Sequence, residues 1–221
     1  LAMEHGPAFI ARSALASMTA LAATNVFVTL YAWRARRGDR QAGRREGPLP
    51  AIATALLGWL AVASLLSLLK FGLPVAAAIN LALFLACGRV TRDWRRAPLG
   101  PRGRPSRWDI PVRAAAAMAL VALVLAIGRL FGPRAAGVAA LAPVVMTSLG
   151  ILLYPRLGGA GAAAVLANTL SGMLGNSVAV AALCLTAVPL GAAPALLLAL
   201  AICIVWNGGI TIWQISGGRG R

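Results

Sequence analysis

Acid is scarce in this chain: of 221 residues only Glu4, Asp39, Glu46, Asp93 and Asp109 carry a carboxylate. General acid–base chemistry and hard-metal binding need carboxylates or imidazoles brought together, and the single His5 cannot replace them. No DxxD or HxxxH spacing, phosphate-cradling glycine loop or serine-centred nucleophile motif occurs. We therefore expect no enzyme, no catalytic residue, no metal site and no cofactor. Cysteine is as sparse. Cys87, Cys184 and Cys203 lie inside apolar runs without ligand spacing and read as small buried hydrophobes. Charge of both signs amounts to 12%, against about a quarter in a soluble domain, which excludes a water-soluble globule.

What the chain has is apolar length. Hydrophobic residues make up 60%, and the mean hydropathy is +0.81. Apolar runs of membrane length occupy 8–33, 50–69, 71–88, 114–131, 135–155, 160–186 and 194–215, none containing an acid. The expected class is all-α, a polytopic helical membrane protein with seven spans. Leu69-Lys70-Phe71 and Phe131-Gly132-Pro133-Arg134 are tight connections, which imply antiparallel neighbours.

The formal charge of +16 would suggest nucleic acid in a soluble protein. Here the cations sit in loops between apolar segments, so no nucleic-acid partner is expected. Seventeen Lys and Arg fall on the side of loops 34–49 and 89–113, Arg156 and the C-terminus, and four on the other. That asymmetry puts the 17-charge side and the C-terminus in the cytoplasm. With the arginine and alanine richness of a GC-rich bacterial genome, it gives the bacterial inner membrane as the expected location. Tyr31, Trp33, Tyr154 and Trp213 lie at cytoplasmic span ends, as an aromatic belt requires, whereas Trp59 and Trp206 read as helix-packing residues.

The chain also resembles itself. Segments 6–16 (GPAFIARSALA) and 132–142 (GPRAAGVAALA) match at an offset of 126, and each leads to a Leu-Tyr pair, Leu30-Tyr31 and Leu153-Tyr154. Leu57-Gly58 matches Leu174-Gly175, and Pro74 and Gly88 match Pro194 and Gly208. This pattern predicts two parallel four-helix repeats related by an axis along the membrane normal. Residues 1–88 form the first unit, 89–113 a basic cytoplasmic linker, 114–215 the second unit and 216–221 a basic tail. The first unit then lacks a counterpart of 114–131, so a further helix is expected before Leu1.

Residues 117–208 resemble the small four-helix bacterial membrane proteins of the glycerol-3-phosphate regulon type. The likeness is carried by a pre-helix Gly-Pro, Ala136-Gly137-Val138-Ala139 followed by Pro143, and Gly172-Met173-Leu174-Gly175. The resemblance implies a four-helix unit and carries over no activity.

Polar residues within spans are few, which makes them the candidate pathway: Thr147 and Ser148 in the fifth span, and Asn168, Thr169, Ser171, Asn176 and Ser177 in the sixth. Asn168, Ser171 or Gly172, and Gly175 or Asn176 recur at three- and four-residue spacing on one small, polar helix face. Such a face either lines a pathway or is packing glue between helices. A second group lies in the 89–113 loop, where Arg92, Trp94, Arg95, Arg96, Arg107 and Trp108 interleave cations with tryptophan. They suit anionic lipid head groups or an acidic partner surface, or form a linker that only enforces topology. Two functional readings follow. One is a transporter or flippase-like carrier of a small or amphiphilic solute. The other is a non-catalytic accessory subunit that docks other membrane subunits or a second copy.

Overall fold

The structure is a computed structural model that describes residues 2–40, 47–69, 71–96 and 143–218, with 118 and 122 as isolated helical positions. The described chain is all-α. It comprises α1 (Ala2–Arg40), α2 (Leu49–Leu68), α3 (Leu73–Val90), a 3-10 turn (Arg92–Arg96), α4 (Val144–Leu190) and α5 (Ala192–Gly218). Each of the five α-helices is long and apolar enough to cross a membrane. Prolines open two of them, with Pro50 and Pro74 in the first turns of α2 and α3, where the missing N–H is no loss.

The expected spans 8–33, 50–69 and 71–88 coincide with α1, α2 and α3, and 194–215 lies within α5. The fifth and sixth expected spans meet within a single element, α4, which contains non-helical backbone at Gly158, φ 71° and ψ 173°. Thr169 Oγ1 lies 3.8 Å from Met146 Sδ. These residues flank Gly158 at nearly equal distances, so the chain reverses there and halves 144–157 and 159–190 lie antiparallel. Only glycine adopts this positive φ without strain. Residues 135–142 and, apart from 118 and 122, the expected span 114–131 lie outside the described residues, so the described helices number five rather than seven. The segment 97–113 of the linker lies outside them as well.

The centre of the bundle is α1. From Met18 to Asn25 every residue is buried, because Ala20, Ala22, Ala23 and Thr24 are small enough for helices to close in from several sides. Phe27 and Tyr31 stack at 6.4 Å with rings 13° from parallel, and with Trp59, Tyr154 and Leu166 they anchor the main core. The Tyr31 hydroxyl donates to Gly150 O at 3.0 Å. Cys184 Sγ approaches Ala11 O at 3.5 Å. Residues 144–157 thus run parallel to α1 and residues 159–190 antiparallel to it.

The described residues do not show the two expected repeat units in equivalent places. Helix α1 is enclosed, whereas its counterpart in the second unit exposes Val145 and Ile151. The described helices therefore give no support to a two-fold arrangement. The apolar surface lies on the outside. Leu57, Leu60, Leu65 and Leu68 on α2 and Leu197, Leu200, Val205 and Ile212 on α5 are exposed, the pattern of helices bathed in lipid.

Candidate functional site

Between α1, both halves of α4 and α5 lies a cleft of about 750 Å³. That volume falls within the range of small-molecule pockets, roughly 300–1,000 Å³. Leu21 and Thr24 of α1 form its floor, and Pro143, Val145 and Met146 one wall. The facing walls are polar at intervals: Asn168, Thr169, Ser171 and Asn176 from α4, and Asn207 and Thr211 from α5. Asn168, Asn207 and Thr211 are exposed, so the cleft opens sideways from the bundle.

Helical spacing and two glycines bring these amides together. Asn207 sits against Gly172, where an added Cβ would lie 2.8 Å from Asn207 Oδ1. Trp206 occupies the space a side chain at Gly175 would need, and its indole N–H donates to Ser171 O at 3.1 Å. The Gly172–Gly175 pair is thus a packing groove for α5, and this packing delivers Asn207 to the cleft. Asn176 Oδ1 accepts from Cys203 Sγ at 3.6 Å, a weak bond between the same two helices.

The hydroxyls are satisfied within their own helices. Thr169 donates to Leu166 O at 2.7 Å and Ser171 to Asn168 O at 2.9 Å. The amide nitrogens of Asn168 and Asn207 return to Ala164 O and Cys203 O, both at 2.9 Å. Asn168 Oδ1, Asn207 Oδ1 and Asn176 Nδ2 make no hydrogen bond among the described residues, so acceptors and donors remain for a solute. The described residues lining the cleft include no Asp, Glu, His, Lys or Arg.

Of the residues expected on the pathway, Asn168, Thr169, Ser171 and Asn176 line the cleft and Thr147, Ser148 and Ser177 do not. Thr147 donates to Pro143 O at 2.7 Å, Ser148 to Val145 O at 2.9 Å and Ser177 to Met173 O at 3.1 Å, each within its own helix. Thr24, Asn207 and Thr211 were not among the expected pathway residues. Thr24 also accepts the Trp59 indole N–H at 3.2 Å, which ties the cleft floor to α2.

Two further features involve charge. Asp39, near the end of α1, accepts the Ala160 N–H at 2.7 Å and so caps the start of the second half of α4 across the Gly158 reversal. A carboxylate there faces the positive end of the helix dipole. In the Arg92–Arg96 turn, Trp94 is half-buried against the core, with the Arg36 guanidinium 5.7 Å from its ring centroid. Arg92 is exposed, and Arg95 is partly buried. Arg107, Trp108 and the Arg96 side chain lie outside the described residues. Groups of His, Cys, Asp or Glu able to hold a metal ion are absent among the described residues. No family model, curated protein or solved structure matches this chain.

Proposed function

We propose that this protein is a carrier, flippase-like or conventional, that admits a small uncharged polar or amphiphilic solute to the cleft between α1, α4 and α5. The observation that supports it is the convergence of Asn168, Asn176 and Asn207 on one open volume inside membrane-length helices. An amide exposed at membrane depth is costly unless something hydrogen-bonds to it, and a polar solute is that partner. The apolar remainder of the lining, including Leu21, Val165 and Ile210, suits the hydrocarbon part of an amphiphile. In the same reading the protein is an inner-membrane protein of a bacterium, and its arginine-rich end faces the cytoplasm. With the two halves of α4 as separate crossings and 114–131 as another, the crossings number seven.

Reconstitution in liposomes tests the carrier. Uptake of a panel of neutral polyols and short-chain amphiphiles should depend on the protein and be lost in Asn168→Leu and Asn207→Leu, with the folded protein retained. Because amides and hydroxyls do not titrate near neutrality, the uptake rate should be flat between pH 5 and 8. Protein-independent flux, or flux untouched by both replacements, would defeat the proposal.

The accessory-subunit reading has one observation of its own: Gly172 and Gly175 are filled by α5, as small residues in membrane helix interfaces are. That packing accounts for the glycines. It leaves Asn168 Oδ1, Asn207 Oδ1 and Asn176 Nδ2 without partners among the described residues.

A further inference from the structure

Arg95 carries a charge that the described residues leave incompletely compensated. Its Nε is buried and has no hydrogen-bond partner, and burial pulls its guanidinium below the ordinary arginine value. The side chain is held where it lies. Asn168 Nδ2 reaches Arg95 O at 3.4 Å, pinning the turn to α4. The guanidinium lies beside Gly88, where a Cβ would make ordinary contact with Nη2 at 3.5 Å. Of the acids among the described residues, Asp39 is engaged with Ala160, and Asp93 is exposed to solvent. A guanidinium held partly out of water without an anion is unfavourable, and the described residues supply no anion at this point.

The surroundings specify the missing group. The turn follows the last residue of membrane-spanning α3, so Arg95 sits at head-group depth. Half-buried Trp94 beside it is an interfacial residue with an apolar body and a polar tip. Arg36 lies over Trp94, and Arg92 is exposed in the same turn, so the local field is positive. A guanidinium fork matches the oxygens of a phosphate better than any other common anion at a membrane surface except carboxylate.

We propose that Arg95 is the anchor of a binding site for the phosphodiester of an anionic phospholipid, with Trp94 against the glycerol region and Arg36 and Arg92 adding to the field. Its side chains do not line the solute cleft, although Asn168 of the cleft holds the backbone of the turn, and the site holds whether or not the cleft carries a solute. It narrows the basic segment from a general topology signal to one lipid-binding position.

The test uses the full chain purified in a neutral detergent, with bound lipid counted by native mass spectrometry. Phosphatidylglycerol should be retained in preference to phosphatidylcholine. Arg95→Gln should weaken retention about fivefold, the effect of about one interfacial cation. Arg12→Gln removes an equal charge at the opposite end of α1 and should leave retention unchanged. Equal retention of phosphatidylglycerol by wild type and Arg95→Gln would overturn the proposal. So would equal retention of the two lipids by the wild type, and that comparison decides the matter even if Arg95→Gln does not fold. If inorganic phosphate binds instead, and Arg95→Gln abolishes its binding without altering lipid retention, the site belongs to a soluble anion and the lipid assignment is overturned.

Discussion

Asp39 and Ala160 stand 121 positions apart, yet the carboxylate of one accepts the backbone N–H of the other at 2.7 Å. The bond closes the α1 C-terminal end onto the start of the second half of α4. Beside it, Gly159 lies so close to Ala35 O that no side chain fits. Because both halves of α4 line the cleft, this contact fixes the reversal that sets the cleft's width.

Asp39→Ala should therefore cost about 1 kcal/mol, the usual value of an N-cap. Asp39→Asn keeps an acceptor and should lose only the charge–dipole part, about 0.3–1 kcal/mol. Reversible unfolding in mixed micelles would order the three proteins as wild type, Asn, Ala. An Ala variant as stable as the wild type would show that the bond does not hold the reversal.

Glycines that look alike in the sequence should respond differently. At Gly175 an added methyl meets the Trp206 ring and its Cβ, which cannot move without displacing α5. Gly175→Ala should destabilise by about 1–3 kcal/mol, the cost of overpacking. At Gly58 the obstacle is the far end of the flexible Leu30 side chain. Gly58→Ala should be neutral or stabilising, because alanine favours a helix by about 1 kcal/mol over glycine. Thermal unfolding of the two variants in one detergent checks the contrast.

Tyr31 offers a cleaner measurement of one buried bond. Its hydroxyl donates to Gly150 O at 3.0 Å, and its ring lies against Gly150 where a Cβ would be 2.8 Å away. Tyr31→Phe removes the bond and keeps the packing, so the loss should be about 0.6 kcal/mol, the average for such bonds between membrane helices. Gly150→Ala should cost more, since the ring itself must shift. Equal losses would show that the hydroxyl, not the close approach, dominates this contact.

The sequence made the helices legible because apolar runs of membrane length have few other uses. It also separated the spans 135–155 and 160–186, between which the chain reverses at Gly158. Four cleft residues were readable because a polar side chain within a span is rare. Thr147, Ser148 and Ser177 shared that rarity but lie off the cleft, on faces that depend on how the halves of α4 pack, which composition does not reveal. Asn207 was legible as a polar residue within the last span, but its place in the cleft depends on α5 seating against Gly172, a contact between distant segments. The same holds for Asp39: a loop acid and a helix start meet only after α1 and α4 have packed. The two-fold repeat expected from matching alanine, glycine and proline positions is not supported, because enclosure of α1 makes the units unequal.

The central claim is that the cleft is open to polar solutes within the membrane. Cysteine accessibility measures it most directly, because Cys203 already lines the cleft. In a background with Cys87, Cys184 and Cys203 replaced by Ala, single cysteines are placed at Asn168, Asn176 and Asn207, and at lipid-facing Leu197 as control. A small charged thiosulfonate reagent should modify the three cleft positions in liposomes and spare Leu197. Cleft positions as unreactive as Leu197 from both sides of the membrane would contradict the account and leave the amides as packing groups.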